Sequence, residues 1–232
     1  MEWTDEGIVL AVRRHGETGM IASLLTRVHG RHAGLVHGGV GKANRGTLQP
    51  GNHVKAWWRA RLSDQLGSYR MEMAEAHAAG ILDDPGRLAA LSSACALSEA
   101  ALPEREPHPA AFAALAALLD ALRSESWPSV YVHWELALLR DLGYGLDLSR
   151  CAATGAGDGL AYVSPRSARA VSALAGEPYR DKLLVLPAFL VEGGEGDAQA
   201  VFQGLALTGF FLGRHIHTVP AARSRLVDRF RP

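Results

Sequence analysis

Residues 1 to about 80 divide into five short segments of alternating apolar and polar character: Gly7 to Arg14, Met20 to Arg27, Arg31 to His37, His53 to Leu62 and Tyr69 to Ala76. Glycine turns separate them. Alternation at period two marks a strand with one buried face, and five short strands in so little chain predict a small barrel or sandwich. From Pro85 the pattern turns helical. Pro85, Pro109 and Pro128 open segments in the position that favours helix initiation. Leu88, Leu91, Cys95, Ser98 and Leu102 then follow helical spacing, as do Leu115, Leu118, Leu119 and Leu122, and Val132, Leu136 and Leu139. Gly143 and Gly145 end the third helix, and Ser149 to Gly159 reads as a loop. Pro187 to Val191, Gln199 to Leu212 and Ala221 to Phe230 read as further helices, the last carrying Arg223, Arg225 and Arg229. The expected fold class is α+β, with a strand domain over 1–80 and a helical domain over 81–232.

Charge separates along the same lines. The whole chain balances 24 basic residues against 24 acidic ones. Between Leu10 and Arg61, however, Arg13, Arg14, Arg27, Arg31, Lys42, Arg45, Lys55, Arg59 and Arg61 face only Glu17, a net charge of +8 over 52 residues. The remainder carries −8. Such asymmetry predicts a polyanion-binding module joined to an acidic remainder, although a solvated basic face would look the same in sequence. The stretch Gly38 to Gly46, glycine-rich and carrying Lys42 and Arg45, reads as a mobile loop able to reach a ligand.

The fourth strand is the most specific segment. At period two, Val54, Ala56, Trp58, Ala60 and Leu62 share a core face, and Lys55, Trp57, Arg59 and Arg61 share the outward one. Cations that track phosphates beside an aromatic plane that stacks a base are what single-stranded nucleic acid requires. The alternative is a tryptophan packed under a neighbouring element with cation–π support.

Other chemistries lack their residues. Gly39-Val40-Gly41-Lys42 resembles the tail of a P-loop, but Val36 stands at the first glycine position and Ala43 where Ser or Thr would hold magnesium. His15, His29, His32 and His37 have no Cys or Asp nearby to complete a metal shell and read as strand and turn residues that add to the basic face. His215 and His217 are poorly placed on any common face. Glu17 alone cannot hold magnesium for nuclease chemistry, and no serine sits in a nucleophile elbow. Neither a catalytic nor a metal site is expected. Cys95 and Cys151 lie in different contexts and make no disulfide framework. The longest apolar run, Ala200 to Leu212, falls short of the roughly 20 residues of a membrane span. Glu2 and Asp5 stand where a secretory signal would be basic, so a cytoplasmic location is expected.

Several strings together resemble one family. Gly7-Ile8-Val9-Leu10, Gly16-Glu17-Thr18, Leu24-Leu25-Thr26, His29-Gly30 and Leu48-Gln49-Pro50-Gly51 are similar to the N-terminal domain of the bacterial recombination mediator RecO. The run from Glu135 to Tyr144 resembles the helix leading to that family's zinc-binding segment, and Leu207 to Leu212 and Pro220 to Arg223 resemble its C-terminal helices. The resemblance implies an N-terminal OB-fold, a helical body and a non-enzymatic role in DNA repair and recombination. It also implies binding of single- and double-stranded DNA, annealing of complementary strands, and loading of RecA with the partner RecR on DNA coated by single-strand-binding protein. OB-folds bind through an open sheet face and its loops, so Lys55, Trp57, Arg59 and Arg61 and the loop around Lys42 and Arg45 are the carried-over candidates, alongside Arg13, Arg14, Arg27 and Arg31. One departure concerns metal. Many members of the family hold zinc through two Cys-x-x-Cys pairs, whereas here Cys151 stands alone with Thr154 in the partner position and no cysteine near Arg169 to Ser172. A degenerate, zinc-free segment over 146–178 is expected, with Tyr162 to Ala170 held by packing alone and no cofactor; a reactive thiol at Cys151 is the alternative.

A second class of function is a protein-interaction scaffold whose basic face docks acidic peptides, DNA contact being incidental. The acidic C-terminal tail of single-strand-binding protein is an implied ligand in either case, and it wants an apolar pocket rimmed by arginine. Arg123 and Arg140 in the helical body and Arg223 and Arg225 in the last helix are the candidates.

Overall fold

A computed structural model describes the backbone of residues 1–232 and every side chain except that of Ala43. The strands β1 (Glu2–His15), β2 (Gly19–Thr26), β3 (Gly30–Val36), β4 (His53–Arg59) and β5 (Ser68–Glu75) close a barrel in the order β1-β2-β3-β5-β4. Closure comes from β1, which pairs with β4 through Glu2 to Ile8 and with β2 through Gly7 to His15. A bulge between Val9 and Ala11 redirects the strand from one partner to the other. Val9, Ala22, Leu24, Val36, Val54, Ala56, Trp58 and Tyr69 fill the interior. The segment Gly38 to Gly46, expected as a loop, contains a helical turn, α1 (Lys42–Arg45). The fourth strand stops at Arg59, so Leu62 is 56% exposed instead of lying in the core.

The helices α2 (Pro85–Ala101) and α3 (Pro109–Ala121) belong with the barrel in the first of two compact units, residues 1–123 with 220–223. Asp84 caps α2 by accepting from the amides of Gly86 and Arg87 at 2.8 and 3.0 Å, and Pro85 supplies the first-turn residue that needs no donor. Because α2 covers the outside of β1 and β2, both faces of these strands are buried. Ser23, on the outer face of β2, accordingly donates to Glu99 of α2 at 2.5 Å.

The second unit comprises residues 124–219 and 224–232. Its main helices are α4 (Trp127–Asp141) and α7 (Ala198–His215), which pack together along Val132, Leu139, Gly204 and Thr208. Thr208 donates to Glu135 at the buried interface, giving that carboxylate a partner. The segment expected to be held by packing alone is instead a hydrogen-bonded sheet of β6 (Leu160–Val163), β7 (Ala170–Ser172) and β8 (Leu184–Val185), in the order β7-β6-β8. Short turns α5 (Ala173–Gly176) and α6 (Phe189–Glu192) follow, and α8 (Ala221–Val227) closes the chain. Two- to four-residue strands leave too little alternation to be read from sequence. No described helix is long and apolar enough to cross a membrane.

Two features of the barrel have measurable consequences. Gly30 has φ +67°, and a Cβ there would stand 1.8 Å from the Glu106 carbonyl oxygen. Gly30→Ala should therefore lower the urea midpoint, destabilising the protein by about 2 kcal/mol or more; an unchanged midpoint would mean the Glu106 segment yields freely. His32, expected on a basic face, is buried among Trp3, Trp58 and Tyr69. Burial, helped by the charge of Arg105, pushes its pKa down to about 4, so the folded protein holds a neutral ring. The unfolded chain takes up this proton near pH 6.5. The contribution is whole above that pH and is lost as pH falls toward 4, at a cost on the order of 3 kcal/mol. Stability measured across that window should fall less steeply in His32→Gln than in the parent.

Candidate nucleic-acid interface

The alternation read in the fourth strand holds where the strand is regular. Val54, Ala56 and Trp58 are buried, Lys55 and Arg59 are exposed, and Trp57 lies half-buried on the outer face. The barrel then sets neighbours that linear spacing does not show. Across β4, Glu2 faces Arg59, Thr4 faces Trp57 and Glu6 faces Lys55 from β1, while Ser68, Arg70 and Glu72 face the same three residues from β5. Lys55 is thus bracketed by two glutamates. The charge count from Leu10 onward excludes Glu2 and Glu6, yet pairing with β1 returns both to this face, which corrects its reading as a uniformly basic surface.

Trp57 is held by its cationic neighbours. The Lys55 Nζ and the Arg70 guanidinium carbon each stand 5.2 Å from its ring centroid. A cleft of about 500 Å³ opens beside it, lined by Trp3, Thr4, Trp57, Trp58, Arg59 and Arg70. Trp3 is already stacked, parallel to His29 at 4.1 Å and to Trp58 at 5.6 Å, so Trp57 is the aromatic plane through which this cleft could stack a base. Arg70 is a cation that sequence reading missed; its place opposite Trp57 depends on the β4–β5 register.

The remaining candidates separate into two groups. Arg27 pairs with Glu6 at 2.8 Å and lies over the Phe112 ring, and Arg31 pairs with Glu99 at 3.3 Å and donates to the Leu102 carbonyl at 2.7 Å. Arg31 is thereby tied to α2 and its C-terminal end, whereas Arg27 keeps an exposed surface pair. Arg13, Arg14, Lys42 and Arg45 are exposed, and among the described residues none of them makes an ion pair. Arg13 and Arg14 run to the β1–β2 turn, and the Val40 amide donates to the Thr18 carbonyl at 3.3 Å, fixing the Gly38 to Gly46 segment against that turn. This end of the barrel carries net positive charge, with Glu17 its one acid among the described residues. Arg59 and the neighbouring Arg61 are likewise exposed and without an ion pair.

His29 is engaged within the fold. Its Nδ1 lies 2.9 Å from Oδ2 of the buried Asp5, and that oxygen also accepts the amides of Val28 and His29.

In the second unit, Arg140 edges a cleft of about 460 Å³ lined by Leu136, Leu146, Leu148, Leu190 and His133, with Asp147 and Ser149 also on its wall. Burial lowers the pKa of His133, leaving Arg140 to supply positive charge. Arg225 is exposed. Arg123 pairs with Glu75 at 2.9 Å, and Arg223 is 6% exposed, which corrects its reading as a docking residue because a buried guanidinium cannot reach a partner.

Cys151 is buried and accepts the Ser172 amide at 3.2 Å, with the Ser172 hydroxyl 3.5 Å away. Burial opposes its ionisation, but hydrogen bonds from Ser172 and Thr154 outweigh that and bring its pKa down to about 6. Cys95 is different: buried against the Val9 carbonyl, its thiol is pushed up to about 12 and is inert.

Residues 1–77 match the family described as recombination protein O, N terminal, and residues 82–221 match recombination protein O, C terminal. A DNA repair protein RecO from Rhodospirillum centenum is 62% identical over 238 residues, covering 100% of this chain and 95% of the relative. Proteins of the same name from Rhodospirillum rubrum and Phenylobacterium zucineum are 52% and 53% identical, covering 100% and 99% of this chain and 97% of each relative. With both family models matched over most of the sequence and a relative 62% identical across the whole of it, the chain belongs to the recombination protein O family of DNA repair proteins.

Proposed function

We propose that the chain is a non-enzymatic recombination mediator that binds single- and double-stranded DNA through its barrel and anneals complementary strands. With RecR it helps load RecA on DNA coated by single-strand-binding protein, working in the bacterial cytoplasm at the nucleoid. The observation that carries this reading is the set of exposed cations without ion pairs, Arg13, Arg14, Lys42, Arg45, Arg59 and Arg61, on the barrel of a DNA repair family member. Annealing by such a surface needs no nucleophile. Neutralising phosphates lowers the repulsion between two strands, and holding bases unstacked leaves them ready to pair. Phosphates would draw Lys55 and Arg70 off Trp57 and free its face for a base.

Fluorescence anisotropy of a labelled single-stranded oligonucleotide, titrated at several salt concentrations, tests this. Replacing Arg13, Arg14, Lys42 and Arg45 with alanine should reduce the slope of log affinity against log salt by about 3, and replacing Lys55, Arg59 and Arg61 by about 2. Unchanged slopes would remove DNA from these surfaces. Trp57→Ala should cost about 1–3 kcal/mol if a base stacks there, and full retention of affinity would leave Trp57 as a packing residue.

We assign the acidic tail of single-strand-binding protein to the cleft at Arg140, where leucines form an apolar floor and Arg140 is, among the described residues, the one cation at the rim, with Asp147 of the same lining turned to Ser149 and Arg169. Arg140→Glu should abolish binding of an isolated tail peptide while leaving the oligonucleotide titration unchanged. Full competition between peptide and DNA would favour the scaffold reading instead, with one shared basic face.

Zinc is assigned no role at the Cys151 segment. One thiolate with the hydroxyls of Thr154 and Ser172 does not make the closed four-ligand site that structural zinc requires, and the β6–β7 hydrogen bonds hold the segment together.

A further inference from the structure

Away from the surfaces assigned to DNA and peptide, the fold collects three ligand-type residues that sequence spacing keeps apart. Glu75 ends β5, His77 follows it, and Asp120 lies in the last turn of α3. One ring nitrogen of His77 and one oxygen from each carboxylate lie within 4.8 Å of one another. His77 is 3% exposed, and its Nδ1 is buried without a hydrogen-bond partner. That nitrogen stands 3.7 Å from Asp120 Oδ1, and Nε2 stands 3.7 Å from Glu75 Oε2. Both distances are too long for hydrogen bonds, and a buried ring nitrogen left unsatisfied costs free energy. Two ligands that share an ion at about 2.1 Å from each lie about 3.4 Å apart; the two 3.7 Å contacts come from different ring nitrogens, so an ion would sit on one of them, with the carboxylates drawing in from the 4.8 Å within which the three donor atoms already lie.

We propose that Glu75, His77 and Asp120 bind a divalent first-row transition metal ion, of the zinc or manganese type, with water completing the shell. Two carboxylates and an imidazole compensate a doubly charged ion, and the imidazole favours such metals over calcium or magnesium, which take oxygen-only shells. Arg123 occupies Glu75 Oε1 at 2.9 Å and leaves Oε2 turned toward the ring. The Glu75 and Asp120 side chains are 43% and 68% exposed, free to close on an ion arriving from solvent. Bound there, the ion ties the end of β5 to the end of α3 within the first unit. The site is separate from the Cys151 segment, and it does not depend on the DNA-binding reading.

The untagged full-length chain, stripped with a chelator, is titrated with zinc by calorimetry and with cobalt by absorption. A single saturable equivalent is expected, with cobalt bands free of thiolate charge transfer and a higher melting temperature in zinc. Asp120→Ala, an exposed substitution to a better helix former, should weaken binding by at least about tenfold. Cys151→Ser should leave it unchanged. Absence of a saturable site, undiminished binding in Asp120→Ala, or loss in Cys151→Ser would each overturn the assignment.

Discussion

The barrel depends on one strand serving two partners. β1 runs 14 residues, long enough for its first half to pair with β4 and its second half with β2, and the bulge after Val9 turns it between them. Without that turn the sheet would remain open, with β1 and β4 as exposed edges. The same strand carries Asp5, whose buried carboxylate gathers the amides of Glu6, Val28 and His29 and so anchors the β2–β3 turn. Burial is affordable for this charge because each oxygen has donors. Closure thus fixes not only the core but also which charged residues become neighbours.

That second effect shapes the surface proposed for DNA. Along the chain, Lys55, Trp57 and Arg59 form a basic, aromatic stripe. In the barrel, Glu2, Glu6 and Glu72 interleave with it and moderate its potential, whereas the turn end with Arg13, Arg14, Lys42 and Arg45 has no comparable acids beyond Glu17. A surface with both characters suits a ligand that must be held and released: cations without ion pairs supply long-range attraction, and partly neutralised ones limit the grip. Trp57 between Lys55 and Arg70 follows the same logic, since the cations that shelter the ring are also groups that phosphate attracts.

In the second unit, the segment around Cys151 is held by main-chain pairing. Ladders between β6 and β7 and between β6 and β8, with Ser172 and Thr154 around Cys151, cross-link it. The hydrogen bonds that satisfy the Cys151 sulfur also lower its pKa, but its burial keeps it from solvent.

Much of this was legible in the linear sequence. Period-two alternation set the five barrel strands, prolines and leucine spacing set α2, α3 and α4, and the core face of β4 followed from Val54, Ala56 and Trp58, because these signals are local and repeat along the chain. Arg13, Arg14, Lys42 and Arg45 were equally visible as cations, since charge is a property of the residue. The burial of His32 and Arg223, the engagement of Arg27 and Arg31, the glutamates beside Lys55, the place of Arg70 at Trp57 and the meeting of His77 with Asp120 were decided only by the tertiary structure. Each depends on a contact between segments distant in sequence, and strand register and helix docking, rather than residue type, choose those neighbours.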